Sequence, residues 1–106
     1  MTFKDLQLQV TAWATLNFPD AKPHQPLLGI AEESGELAHA HLKMEQRIRG
    51  ESHEHHAAKI DAVADLVIFL CHYCSLNNID LDAAVALTWA EVRKRDWKKN
   101  KEDGKI

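Results

Sequence analysis

The chain has 106 residues, of which 45% are hydrophobic and 27% charged, and its net charge is −3. This composition excludes an intrinsically disordered chain, and no apolar run reaches the roughly 18 residues that a membrane span needs. Residues 1–10 do not form a signal peptide, and the two cysteines make no disulfide framework. We therefore expect one cytoplasmic domain over residues 1–106.

Positive charge is concentrated at the C-terminal end. Residues 93–106 contain seven basic and three acidic side chains, a balance of +4, so residues 1–92 carry −7. An acidic body with a basic tail from about residue 93 suits a metal ion in the first part and a phosphate in the second. A solvated basic helix end, which the helix dipole favours, explains the tail equally well.

The sequence predicts four helices between breaks rich in proline, glycine or asparagine, at residues 3–17, 26–49, 53–76 and from 81 into the basic tail. The third is apolar nearly all round between Ile60 and Tyr73, which is typical of a central, buried helix. Period-2 alternation, the mark of strands, is missing. We predict an all-α fold with these helices packed as a bundle or as part of one.

Three glutamates are crowded together on the second predicted helix. Glu32, Glu33 and Glu36 fall within roughly a 100° arc, where like charges repel. Glu33 lies at the border of the apolar arc and should be partly buried. Lys43 is the nearest basic residue on that face. Gly35 costs about 1 kcal/mol relative to alanine in mid-helix, which suggests that another helix or a ligand approaches closely there.

The third predicted helix carries a second acidic pair. Asp61 and Asp65 lie one turn apart on one face of an apolar segment, without an arginine or lysine partner on that face. If they are buried, either their pKa values rise or a cation neutralises them. Antiparallel packing would bring four or five carboxylates together, an all-oxygen site that suits Mg²⁺ or Mn²⁺. The alternative is that these acids face solvent or pair with the basic tail.

These segments resemble a known family. EESGE at 32–36, followed by DAVADLVIFL at 61–70, is similar to the EExxE and ExxD motifs of the MazG-like, all-α nucleoside triphosphate pyrophosphohydrolases, which include dCTP and dUTP pyrophosphatases. WAEVRKRDWKKN at 89–100 resembles their basic C-terminal helix. The resemblance spans nearly the whole chain. It implies a four- or five-helix fold that forms homodimers or homotetramers, and Mg²⁺-dependent hydrolysis of an NTP or dNTP to the monophosphate and pyrophosphate.

The resemblance also implies roles for individual residues. Glu33 and Glu36 match the family's metal ligands in the first motif, and Asp65 matches the aspartate of ExxD. Glu32 matches the leading glutamate, which holds a second metal or orients the attacking water. All four are therefore candidate catalytic residues.

The chain departs from the family pattern at one position. Three residues before Asp65, where the family has glutamate, the sequence has Ala62. Asp61 is the natural substitute as a metal ligand, because a spacing of four residues also keeps a common helix face. This departure supports an alternative function, a non-catalytic helical module that binds a protein or nucleic acid through its basic tail. The enzyme hypothesis expects neither a nucleic-acid nor a membrane partner.

Basic and aromatic side chains are the candidates for holding the nucleotide. We expect the triphosphate to bind cationic and amide groups, and the base to stack on a tryptophan beside the loop at 18–26. The predicted substrate-binding residues are Trp13, Lys43, Arg93, Arg95, Lys98 and Asn100. The histidines of SHEHH at 52–56 are expected to be solvated, and the cysteines of CHYC at 71–74 to be core residues.

Overall fold

A computed structural model of the chain describes residues 1–99, which form four α-helices and no strand. The helices are α1 (Phe3–Asn17), α2 (His24–Gln46), α3 (Ser52–Leu76) and α4 (Leu81–Val92). The all-α prediction is confirmed for this part of the chain. None of the described helices combines the length and the apolar character needed to cross a membrane.

Side chains cap three of the four helix starts. Thr2 and Asp5 form a reciprocal capping box at α1, and Glu51 and Glu54 form the same arrangement at α3. The Asp80 side chain accepts a backbone hydrogen bond at the start of α4, as predicted. Each cap satisfies backbone N–H groups that have no partner within the helix. Local sequence therefore determines where these helices begin.

α2 and α3 form the main helix pair, antiparallel because only residues 47–51 connect them. The Phe69 side chain of α3 lies against α2 at Gly29, where an added Cβ would be 2.5 Å from its Cε1 atom. The sequence predicts that another helix or a ligand approaches Gly35 closely. The helix alternative is wrong for the described chain, because no atom lies within 4 Å of a Cβ built there, whereas the ligand alternative stays a prediction, and Gly35 lines an open cavity. The missing side chain at Gly29 is what lets α3 come close to α2.

Polar contacts fasten α1 to the junction between α3 and α4. The Gln7 amide donates to Ser75 Oγ at 3.2 Å and to the Ile79 carbonyl at 2.7 Å, and it accepts from the Leu81 backbone N–H at 3.0 Å. Thr11 Oγ1 lies 2.6 Å from Ser75 Oγ. α4 consequently packs mainly against α1.

The buried core of the single chain is small. Within residues 1–99 the buried hydrophobic side chains are Val10, Ala14, Ala40, Ala62, Cys71 and Cys74. The two free cysteines are core residues, as predicted, and burial raises the pKa of each thiol. The radius of gyration is 17.0 Å, against about 13 Å for a compact chain of this length. The helices therefore leave much apolar surface uncovered.

The third helix is central but not buried on all sides. α3 packs against both α1 and α2, yet Ile60 is 58% and Val63 51% exposed. The prediction of an all-round buried helix is therefore wrong for the single chain. One apolar face of α3 has no covering element among the described residues.

The basic tail does not continue the fourth helix. α4 ends at Val92, and residues 93–99 form two turns, at 93–94 and 97–99, rather than the predicted helical extension. The Asp96 carboxylate accepts the backbone N–H groups of Lys98 at 3.1 Å and Lys99 at 3.0 Å. A short acidic side chain that bonds to its own backbone in this way competes with helix formation.

Candidate metal centre

Three carboxylates of α2 converge at one point. Oxygen atoms of Glu32, Glu33 and Glu36 all lie within 4.8 Å of one another. Glu32 and Glu36 are exposed, whereas Glu33 points into the interface with α3 and is buried. We call these three residues the acid cluster. The spacing EE-x-x-E produces it directly, because residues three and four apart lie on one helix face.

Glu33 is the unusual member of the acid cluster. Its side chain is 9% exposed, and Oε2 has no hydrogen-bond partner among the described residues. Burial raises the pKa of Glu33, and the charge of Glu36 adds to this effect. A hydrogen bond with Glu36 and the charges of Asp65 and Glu32 raise the pKa further. A buried carboxylate oxygen that has no donor is stabilised when the group takes up a proton or binds a cation.

The acids of α3 differ in their relation to the cluster. Asp65 is half-buried, and it lies close enough to Glu33 for its charge to affect the pKa of that carboxyl. Asp61 is exposed, and neither Asp61 nor Asp65 is one of the described residues whose carboxylate oxygens converge within 4.8 Å. Ala62 is 2% exposed, so the position that holds glutamate in the family pattern faces the packed interior. The role of Asp61 in metal binding stays a prediction.

A cavity of about 480 Å³ adjoins the acid cluster. Glu32 and Glu36 line one part of it, and the cationic side chains of Lys43 and Arg49 line another, together with His55. Lys43 was predicted as a substrate-binding residue, and it does lie beside the cluster. Arg49 and His55 are not among the predicted site residues, because the sequence places Arg49 at the end of a helix and His55 among solvated histidines. The signal that could have found Arg49 is its place directly before Gly50 in a tight turn.

The aromatic candidate lies elsewhere on the surface. Trp13 is 52% exposed on α1, and its ring packs edge-on against Phe18 with centroids 5.5 Å apart. It does not line the cavity beside the acid cluster. Stacking of a base on Trp13 therefore stays a prediction.

The predicted basic ligands of the tail are also separate from this cavity. Arg93, Arg95 and Lys98 lie in the non-helical segment that follows α4, and none of them lines the cavity. Asn100 lies outside the described residues. Within residues 1–99, the cations next to the acid cluster come from α2 and from the turn after it.

Comparison with known proteins does not identify the chain. No family model, no curated protein and no solved structure matches it. The likeness to MazG-like enzymes consequently rests on the motif residues alone.

Proposed function

We propose that the protein is a Mg²⁺-dependent nucleoside triphosphate pyrophosphohydrolase of MazG-like type. It hydrolyses an NTP or dNTP to the monophosphate and pyrophosphate and so serves nucleotide-pool housekeeping. The observation that carries the proposal is the buried Oε2 of Glu33 within the acid cluster, which has no hydrogen-bond partner among the described residues. No basic residue is interleaved with these three glutamates in the sequence. The adjacent cavity is lined by basic groups that can bind a phosphate.

The acid cluster and α3 provide the residues that would hold the metal. Glu33, Glu36 and Asp65, helped by Asp61, offer only oxygen donors, which Mg²⁺ prefers and which Mn²⁺ also accepts. The orphaned Oε2 of Glu33 fits this assignment, because a bound cation would satisfy it. Mg²⁺ bound there would neutralise charge on the phosphate oxygens.

Glu32 is the residue of the cluster best suited to act on water. It is exposed and within 4.8 Å of its neighbours, so a water molecule can reach it. We assign it the orientation of the attacking water and the removal of its proton. The water oxygen forms a bond to the α-phosphorus, the bond from that phosphorus to the bridging oxygen breaks, and pyrophosphate leaves.

Self-association is part of the proposal. An open groove of about 750 Å³ between α2 and α3 is lined by apolar side chains that include Leu42, Ile60 and Val63. This surface is uncovered in one chain, which has a small core and a large radius of gyration. A second copy that places the same face against it would bury these residues in a two-fold interface. We therefore expect a homodimer, or a homotetramer built from dimers.

Sedimentation velocity tests this assembly. Ile60→Asp is expected to convert the oligomer to monomer, because an interface core does not accept an unpaired carboxylate. Leu16→Asp is the control, since Leu16 is 84% exposed on α1 and does not line the groove. A wild-type chain that sediments as a monomer at every concentration would contradict the assembly.

The enzymatic function is tested with a panel of substrates. Wild-type protein is incubated with Mg²⁺ and each common NTP and dNTP, and pyrophosphate and monophosphate are quantified. We expect equimolar release of both from at least one nucleotide. Mg²⁺ at about 100 times its Kd should add about 2.7 kcal/mol to the free energy of unfolding. If the chain is instead a non-catalytic helical module, no nucleotide will release pyrophosphate. A melting temperature that does not change with Mg²⁺ would also contradict the metal site.

A further inference from the structure

The turn between α2 and α3 brings a cation next to the acid cluster. Residues 47–51 connect the two helices, and Arg49 lines the same cavity as Glu32 and Glu36. Lys43, one turn before the end of α2, lines it as well. Acidic and basic groups thus share one open space of about 480 Å³.

The backbone of this turn adopts an uncommon conformation. Arg47 (φ 57°), Arg49 (φ 56°) and Gly50 (φ 124°) all lie in the left-handed region. Side-chain-bearing residues rarely adopt it, and it persists where surrounding contacts hold it in place. Here His55 Nε2 donates to the Ile48 carbonyl at 2.9 Å, which ties the turn to the first part of α3.

Arg49 is available to a ligand. Its guanidinium has no hydrogen bond or ion pair with any residue of the described chain. Among the described residues, Lys43 Nζ donates only to Gln46 Oε1, at 3.0 Å. Within residues 1–99, neither cation forms an ion pair with Glu32 or Glu36, although all four line the cavity. Opposite charges therefore face a common gap without neutralising each other.

We propose that the α2–α3 turn is the binding element for the pyrophosphate portion of the substrate. Arg49 and Lys43 contact the β- and γ-phosphates, because a guanidinium matches phosphate oxygens in a bidentate geometry and an ammonium supplies a point charge. His55 acts as a positioning residue, since it holds the Ile48 carbonyl and thereby the turn. The inference rests on the proposed function and specifies its substrate class, compounds with a terminal diphosphate.

Two arginines of the turn provide a matched test. Arg49→Ala is expected to raise KM for the nucleotide, and Ki for pyrophosphate as product inhibitor, roughly tenfold to a hundredfold. Arg47→Ala removes the same charge from another left-handed position of the same turn, but Arg47 does not line the cavity. It should leave KM and Ki unchanged. Arg49→Lys should recover part of the loss, because it restores the charge without the bidentate geometry.

A double-mutant cycle tests the part played by His55. His55→Ala should raise KM as Arg49→Ala does, and the double variant should be no worse than either single one. Additive effects, or a fall in kcat and melting temperature without a change in KM, would assign His55 a purely structural role.

The binding of pyrophosphate separates this inference from the proposed function. Calorimetric titration of pyrophosphate in the presence of Mg²⁺ does not require turnover. An active wild type whose KM and pyrophosphate affinity do not respond to Arg49→Ala overturns the inference and leaves the enzyme intact. A wild type that hydrolyses no nucleotide, yet binds pyrophosphate through Arg49, overturns the enzymatic function and supports the binding element.

Discussion

Replacing Glu36 by glutamine is expected to lower the rate of pyrophosphate release roughly a hundredfold or more, while the chain remains folded. Glu36 is exposed, and its carboxylate lies within 4.8 Å of those of Glu32 and Glu33. The substitution removes a metal ligand and keeps the side-chain size. It also relieves repulsion in the acid cluster, so the metal-free protein should be at least as stable as wild type. Steady-state kinetics and thermal unfolding measure the two effects.

The control for this variant lies on the same helix. Glu45→Gln changes an exposed glutamate of α2 that pairs with His41 at 3.0 Å, outside the acid cluster. Because Glu45 lines the groove between α2 and α3, sedimentation velocity checks that this variant keeps the wild-type assembly. It should retain wild-type turnover and the stabilisation by Mg²⁺, whereas Glu36→Gln should lose both. Undiminished turnover of Glu36→Gln would contradict the metal assignment. Unfolding of Glu36→Gln at the assay temperature would assign Glu36 a structural role.

Two glycines of α2 are expected to respond to alanine with opposite signs. At Gly29 the new methyl group would lie 2.5 Å from the Phe69 ring, so helix α3 or the ring must move. We expect Gly29→Ala to lower the free energy of unfolding by about 1–2 kcal/mol, because overpacking outweighs the gain in helix propensity. At Gly35 there is open space. Gly35→Ala should therefore raise the free energy of unfolding by about 0.5–1 kcal/mol.

Each variant is the control for the other, since both make the same substitution within one helix. Chemical denaturation at a single protein concentration measures the difference, because self-association would make stability depend on concentration. Stabilisation by both substitutions would mean that the Phe69 ring moves aside at little cost. Destabilisation by Gly35→Ala would show that an element absent from the single chain packs there.

The acid cluster and the helix starts could be predicted from the sequence because they are local. The spacing of Glu32, Glu33 and Glu36 brings three carboxylates together on any α-helix, and the apolar arc beside Glu33 predicts its burial. Asp80 is a helix cap because its side chain reaches backbone N–H groups a few residues ahead. These features depend on helix geometry alone, and the structure reproduces them.

Other features depended on how the helices pack. Two glycines in α2 look alike in the sequence, yet only Gly29 meets α3, because the register of the helix pair places Phe69 opposite it. The same register brings Asp65 near Glu33 and leaves Asp61 exposed. Arg49 reaches the cavity through a left-handed turn that His55, on the next helix, holds in place. Periodicity determined the helices and the acid cluster. The relative placement of α2, α3 and the turn between them decided which side chains surround the acid cluster, because those contacts join residues that are distant in sequence.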